Sequence, residues 1–236
     1  MVQSIQNHFL DTNMILTIAF EDSNFEECKT YYKLEYKRYI SYNVKNETLN
    51  VIERKKLISL NILSYIENYI SSNSINLSHL DSDLQKIKKE YLKQFKNQAH
   101  IFNLKKDKFL KIVTDLFNAY HDEIRNAILH DDLKLESLSS KIRYAFKKYN
   151  KTVTRCLISF EKFSFDNNPN LVNRLIDIGI HKKDAILVDD CYNKSIDINE
   201  KFVFVTQDKG ILKCSQEAFE LLDSKIHFSN PNLFLK

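Results

Sequence analysis

Phe202-Val203-Phe204-Val205-Thr206-Gln207-Asp208 is the stretch on which the reading of the fold turns. Its four consecutive apolar residues show no alternation, which suits a strand buried on both faces, as in a parallel sheet. A run with a similar ending stands near the start of the chain: His8-Phe9-Leu10-Asp11-Thr12-Asn13. If both are strands of an open parallel sheet, their carboxyl ends open onto one crevice, where ligands of such sheets bind. Two strand-end aspartates, Asp11 and Asp208, then belong to one acidic site.

Outward from these runs the pattern alternates. After the first strand come a helix over 14–20, a helix over about 25–37, a short strand at Tyr39-Ile40 and a long helix opening near Asn43 and reaching about residue 70. Past the turn signal Asn167-Asn168-Pro169-Asn170, helices are expected over 171–178 and 182–192. The strand 202–205, a helix over 217–222 and a last strand at Ile226-His227-Phe228 follow. Alternation of this kind argues for an α/β fold with a central, mostly parallel sheet. Between about 71 and 165, helical spacing dominates. Phe109, Ile112, Val113, Leu116, Phe117, Tyr120, Ile124 and Ile128 recur by threes and fours, as one helix face requires. The expected organisation is an α/β domain of residues 1–55 and 166–236, interrupted by an all-helical insertion over 56–165.

Composition narrows the class. A chain of 236 residues with 43% apolar content can bury a real core. Only two glycines and two prolines occur, where average usage gives roughly 16 and 12, so turns must rely on Asn, Asp and Ser. The formal net charge of +4 is compatible with a polyanionic partner without requiring one. The insertion is lysine-rich, with Lys86, Lys88, Lys89, Lys93 and Lys96, then Lys105, Lys106, Lys108 and Lys111, and later Arg143, Lys147, Lys148 and Lys151. Such runs form either solvated helix faces or a surface for nucleic acid. Cys28, Cys156, Cys191 and Cys214 include no CxxC pair and no histidine at zinc-site spacing, which argues for free thiols. No apolar run approaches the roughly 18 residues of a membrane span, and the first residues lead into a strand rather than a signal peptide. No membrane partner and a cytoplasmic location are expected.

Four carboxylates are candidates for chemistry. Asp11 and Asp208 end strands, Glu47 lies in the first turns of the long helix, and Asp184 opens the helix 182–192. Brought together, four such groups either raise their pKa values or bind hard divalent cations, for which Mg²⁺ or Mn²⁺ is the match. Each also has a plain structural role available. Asp11 and Asp184 suit helix starts, Glu47 suits a helix dipole, and Asp208 suits a turn in which Gly210 supplies a positive φ.

The segments Phe9-Leu10-Asp11-Thr12-Asn13, Glu47 after the second strand, Asp184-Ala185-Ile186-Leu187 and Phe204-Val205-Thr206-Gln207-Asp208-Lys209-Gly210 together resemble the PIN-domain nucleases. The resemblance covers about residues 5–55 and 168–235. It implies a PIN-like three-layer fold and a metal-dependent endoribonuclease acting on single-stranded or structured RNA. By that resemblance Asp11, Glu47, Asp184 and Asp208 hold one or two Mg²⁺ or Mn²⁺ ions, and Asn13 and Thr206 orient them. The ions would activate a water for in-line attack on a phosphodiester. Compact toxin-type members lack a counterpart to the helical insertion. A toxin-like role would bring an antitoxin-like protein partner, and an insertion packed on a second copy would give a homodimer. Two further acids, Asp189 and Asp190, follow Asp184 in the same helix, and Asp189 is an additional candidate. Helix geometry lets at most one of the two join Asp184 easily. The histidines His121, His130 and His181 are read as surface or capping residues.

Two other readings remain. A haloacid-dehalogenase-like phosphohydrolase also places an aspartate after its first strand, but needs a second aspartate where this chain has Asn13. A catalytically weak PIN-fold module that binds RNA or protein through the insertion has no need of so costly an acidic cluster.

Overall fold

The computed structural model describes residues 4–21, 24–72, 79–102, 104–129 and 133–235; His130 and the Ile128 side chain lie outside what it describes. The chain divides into two compact units, one of residues 1–50 and 149–236, the other of residues 51–148.

The first unit holds a five-stranded sheet, all parallel, in the order β3-β2-β1-β4-β5. Its strands are β1 (Asn7–Leu10), β2 (Lys37–Ser41), β3 (Glu161–Phe163), β4 (Phe202–Val205) and β5 (Ile226–Ser229). Every residue of β1 and β4 is buried, whereas β2, β3 and β5 show partly open positions. The unalternating Phe202–Val205 run is thus explained by its place inside the sheet, covered on both faces. Phenylalanines cross one face of the sheet, with ring centroids 5.8 Å apart for Phe163 and Phe9, 5.2 Å for Phe9 and Phe204, and 5.6 Å for Phe204 and Phe228.

The connections run α1 (Thr12–Phe20) and α2 (Phe25–Tyr31) from β1 to β2, and α8 (Pro169–Asp177) and α9 (Lys182–Asp197) from β3 to β4. From β4 to β5 run α10 (Lys209–Lys213) and α11 (Ser215–Leu221). The sequence pattern carries α2 to about residue 37, yet the helix stops at Tyr31. Arg38 of β2 explains the stop, because its guanidinium donates to the carbonyls of Tyr31 (3.4 Å), Tyr32 (3.0 Å) and Leu34, occupying acceptors that a helix end leaves open. The strand β3 falls within 56–165, where the sequence reading expects helices alone. It is three residues long with one buried side chain, Phe163, too short to show a period of two.

With so few glycines, other residues enter the left-handed region at turns: Glu21 (φ 53°) after α1, Asn199 (φ 51°) after α9, and Asp223 (φ 50°) and Ser224 (φ 58°) before β5. Gly179, at φ 102°, occupies the turn between α8 and α9. All four cysteines are free, Cys28 and Cys191 buried and the other two half-buried.

The second unit is helical. It contains the later turns of α3 (Tyr42–Ser72), then α4 (Leu80–Phe95), a 3-10 segment (Lys96–Phe102), α5 (Lys106–Ala119), α6 (His121–Leu129) and the first turns of α7 (Leu133–Ile158). Its core includes Ile58, Ile62, Ile66, Leu84, Ile87, Tyr91, Phe109, Val113 and Phe117. The stripe from Phe109 to Ile124 spans two helices, where its spacing suggests one. Tyr120 leaves helical angles (φ −107°, ψ 11°), its carbonyl accepts the first bond of α6 from the N–H of Ile124 at 2.8 Å, and Asp122 and Glu123 sit at the new N-terminus, where a helix dipole favours them. His121 meets Asp81 and Asp122, a surface role. No helix among the described residues is long and apolar enough to cross a membrane.

Candidate active site

Strand order reverses between β1 and β4: the chain leaves β1 toward β2 on one side and returns to β4 on the other. Such a switch point opens a crevice at the carboxyl ends of the strands, and Asp11 and Thr206 are the residues that follow β1 and β4 there.

Asp11 is buried at the head of α1, but its side chain makes no capping bond to that helix. It turns across the sheet instead. Its Oδ2 accepts the Thr206 hydroxyl at 2.6 Å and the Asn13 amide at 2.7 Å. Asn13 Nδ2 also lies 3.2 Å from Thr206 Oγ1, Asn13 Oδ1 accepts the Gln207 N–H at 3.2 Å, and the Asp208 N–H donates to Thr206 Oγ1 at 2.9 Å. Asn13 and Thr206 therefore clamp the ends of β1 and β4 together around one carboxylate.

Burial lifts the Asp11 pKa to about 7, and the nearby charges of Asp184 and Glu47 push in the same direction against the Thr206 hydrogen bond. Asp11, after β1, thus lies near acids from two other elements: Glu47 on α3 and Asp184 in the first turn of α9. Glu47 and Asp184 are half-buried. Glu47 is held by the Thr12 hydroxyl, which donates to its Oε2 at 2.8 Å. Glu47 lies beyond the first turn of α3, which carries no acid, so the helix dipole does not account for it.

Asp208 stands differently. It is exposed and caps α10, its Oδ1 accepting from the N–H groups of Gly210 (2.6 Å) and Ile211 (3.3 Å). Its charge is not among the main influences on Asp11. Gly210 has no positive φ, contrary to the turn reading; its need is space, because a Cβ there would stand 2.9 Å from Asp208 Oδ1.

Asp189 and Asp190 are both fully buried and point elsewhere. Asp189 Oδ2 accepts the Asn168 N–H at 2.9 Å and the Asn167 amide at 3.3 Å, tying down the segment before α8. Asp190 Oδ2 accepts the Asn43 amide at 3.0 Å, with Ser41 also bonding to its carboxyl. Burial raises both pKa values, and each Oδ1 lacks a hydrogen-bond partner among the described residues. His181 caps α9, its Nδ1 accepting from the Lys183 N–H at 3.4 Å.

Sequence reasoning missed two supporting residues. Thr12 is one. Gln207 is the other: its Oε1 accepts the Thr17 hydroxyl at 2.9 Å and its Nε2 reaches Cys28 Sγ at 3.1 Å, joining the end of β4 to α1 and α2. The only available signal was their position inside the two motifs, since both partners lie far away along the chain.

The donor set is one of oxygen ligands, and Asp11, Glu47 and Asp208 form no ion pair with a lysine or arginine among the described residues. Uncompensated carboxylate charge of this kind suits Mg²⁺ or Mn²⁺. Among the described residues, however, no group of three or more His, Cys, Asp or Glu side chains is arranged to hold a metal ion. Comparison with known protein families, curated proteins and solved structures found no significant match to this chain.

Proposed function

We propose that the protein is a metal-dependent ribonuclease of PIN type, with a PIN-like three-layer α/β domain and its active site at the carboxyl ends of β1 and β4. The observation that carries this reading is the buried Asp11 at a topological switch point, with Glu47 and Asp184 from two other elements near enough to act on it. A scaffold gains nothing from gathering like charges in a crevice, whereas a hard divalent cation turns the same arrangement into a binding site.

Mg²⁺ or Mn²⁺ held there would supply an activated water and neutralise the charge growing on the leaving oxygen of a phosphodiester. The chain's own residues do the positioning. Thr206 and Asn13 fix Oδ2 of Asp11, Thr12 fixes one oxygen of Glu47, and the capped first turn of α9 carries Asp184. Asp208 joins this set only through the part of its carboxyl that does not cap α10.

A second reading, a PIN-fold binding module with weak or no catalysis, is favoured by that cap and by the absence of a compact acidic triad among the described residues. One experiment separates them: incubation of mixed-sequence single-stranded RNA with the full chain in Mn²⁺, in Mg²⁺ and in EDTA, with Asp11→Asn in parallel. Cleavage that needs the ion and is lost in the variant is the expected result. Binding without cleavage under every condition selects the module.

A further inference from the structure

We propose that the helical unit binds the phosphate backbone of single-stranded RNA through the end of the α4–α5 hairpin, a surface distinct from the acidic crevice. The choice of RNA rests on the ribonuclease reading; the positive surface itself does not.

The two helices run antiparallel. Lys88 Nζ of α4 reaches Asn118 Oδ1 of α5 at 3.3 Å, Tyr91 packs near Phe117, and Phe102 stacks on Phe109 where the chain turns. Around that turn, residues 93–111 carry Lys93, Lys96, Lys105, Lys106, Lys108 and Lys111 against one acid, Asp107. The segment has a formal charge of +5 while the whole chain has +4, so everything outside it is net negative by one. This turn is one of two strongly basic stretches of the chain; the other, residues 141–155 on α7, carries Lys141, Arg143, Lys147, Lys148, Lys151 and Arg155 and no acid.

Five of the six lysines are exposed and Lys96 is half-buried, and none forms an ion pair among the described residues. The acids near the opposite end of the hairpin behave otherwise: Asp81 meets Arg125 at 3.0 Å and lies near His121. Helix stability does not account for the lysines either. Lys93 suits the C-terminal end of α4, but Lys105, Lys106 and Lys108 stand at the N-terminus of α5, where the helix dipole disfavours cations. Lys105 occupies the capping position and makes no capping bond. Charges placed against the local electrostatics and left unpaired are accounted for by an outside polyanion. Flexible lysines track phosphates without reading bases, so the surface holds RNA with little sequence preference.

The test is the affinity of the full chain for a fluorescein-labelled mixed-sequence single-stranded RNA, read by anisotropy in EDTA across a salt series. The variant Lys105→Gln/Lys106→Gln/Lys108→Gln is compared with a charge-matched control, Lys33→Gln/Lys201→Gln/Lys213→Gln, whose residues are exposed in the other unit. The expected result is affinity at least about tenfold weaker in the first variant, a salt slope smaller by about 2, and an unchanged or higher melting temperature. The control stays within about twofold of wild type on the same reasoning that non-contacting charges act only at a distance. Equal weakening in both variants, an unchanged slope in the first, or no RNA binding by wild type in EDTA overturns the proposal. So does loss, in the first variant, of binding to phosphatidylserine vesicles without loss of RNA binding, which would make the surface a membrane contact. Metal-dependent cleavage is scored separately in all three proteins, so failure here leaves the ribonuclease reading to stand or fall by itself.

Discussion

Asp11 and Asp189 are buried carboxylates in the same unit, both with pKa values raised first by loss of water, yet they do opposite things. Asp189 faces donors: a backbone N–H and the amides of Asn167 and Asn193, all lowering its pKa against burial. Asp11 accepts from a hydroxyl and an amide and also lies near two further acids, whose charges add to the effect of burial. Burial of a charge alone therefore does not mark a site. The marker is burial together with like charges from separate elements, because a fold tolerates that combination only when something else compensates it.

The comparison breaks most readily in catalysis. Asp11→Asn is expected to reduce RNA cleavage to background, while Asp189→Ala, measured per folded molecule, keeps cleavage near wild type. If the two lose activity alike, both acids are scaffold or both are site.

Stability should sharpen the contrast with opposite signs. The Asp11 pKa is about 7 in the folded chain against an ordinary aspartate value of 3.8. The folded state holds that proton more tightly than the unfolded one, so the group costs nothing below about pH 4 and its full cost above pH 7. That shift corresponds to about 4 kcal/mol as an upper bound. In EDTA at pH 7.5, Asp11→Asn should melt higher than wild type by several degrees, the advantage shrinking to nothing as pH falls toward 4. Mn²⁺ should raise the melting temperature of wild type and not that of the variant. Thr206→Val, which removes the hydroxyl bonded to Asp11, should weaken Mn²⁺ binding in a calorimetric titration by about 10–100-fold, as loss of an outer-shell partner does. Asp189→Ala should destabilise by about 1–3 kcal/mol, the cost of a buried N–H left unpaired at Asn168, with no change in Mn²⁺ affinity.

Much of the α/β unit was legible in the sequence because its strands are short apolar runs ended by polar residues. Phe202–Val205 and the run ending at Leu10 are strands where expected, and the helix from about residue 43 to 70 exists as α3. Lys37 lies in β2 rather than in a helix because the side chain of Arg38, beyond the turn, satisfies the end of α2. The strand β3 gave no signal because three residues carry no period. At the site, Asp11 and Asp184 were legible as acids at element ends and Glu47 as an acid early in a long helix, and the structure brings Glu47 and Asp184 within electrostatic reach of Asp11. For Asp208 the sequence suggested a turn with a positive φ at Gly210, and the structure makes it instead the cap of α10. The bonds from Thr12 to Glu47 and from Gln207 to Thr17 and Cys28 were not legible, since no local pattern records a partner tens or hundreds of residues away.

The scarcity of glycine has a consequence for how far the protein can be hardened. Glu21 and Ser224 hold left-handed backbone with a side chain attached, a conformation that costs such residues about 1–2 kcal/mol. Glycine at either turn would relieve that strain, partly offset by the greater freedom it gives the unfolded chain. A heat-tolerant variant can therefore be sought at two turns, leaving the acidic crevice and the basic hairpin untouched.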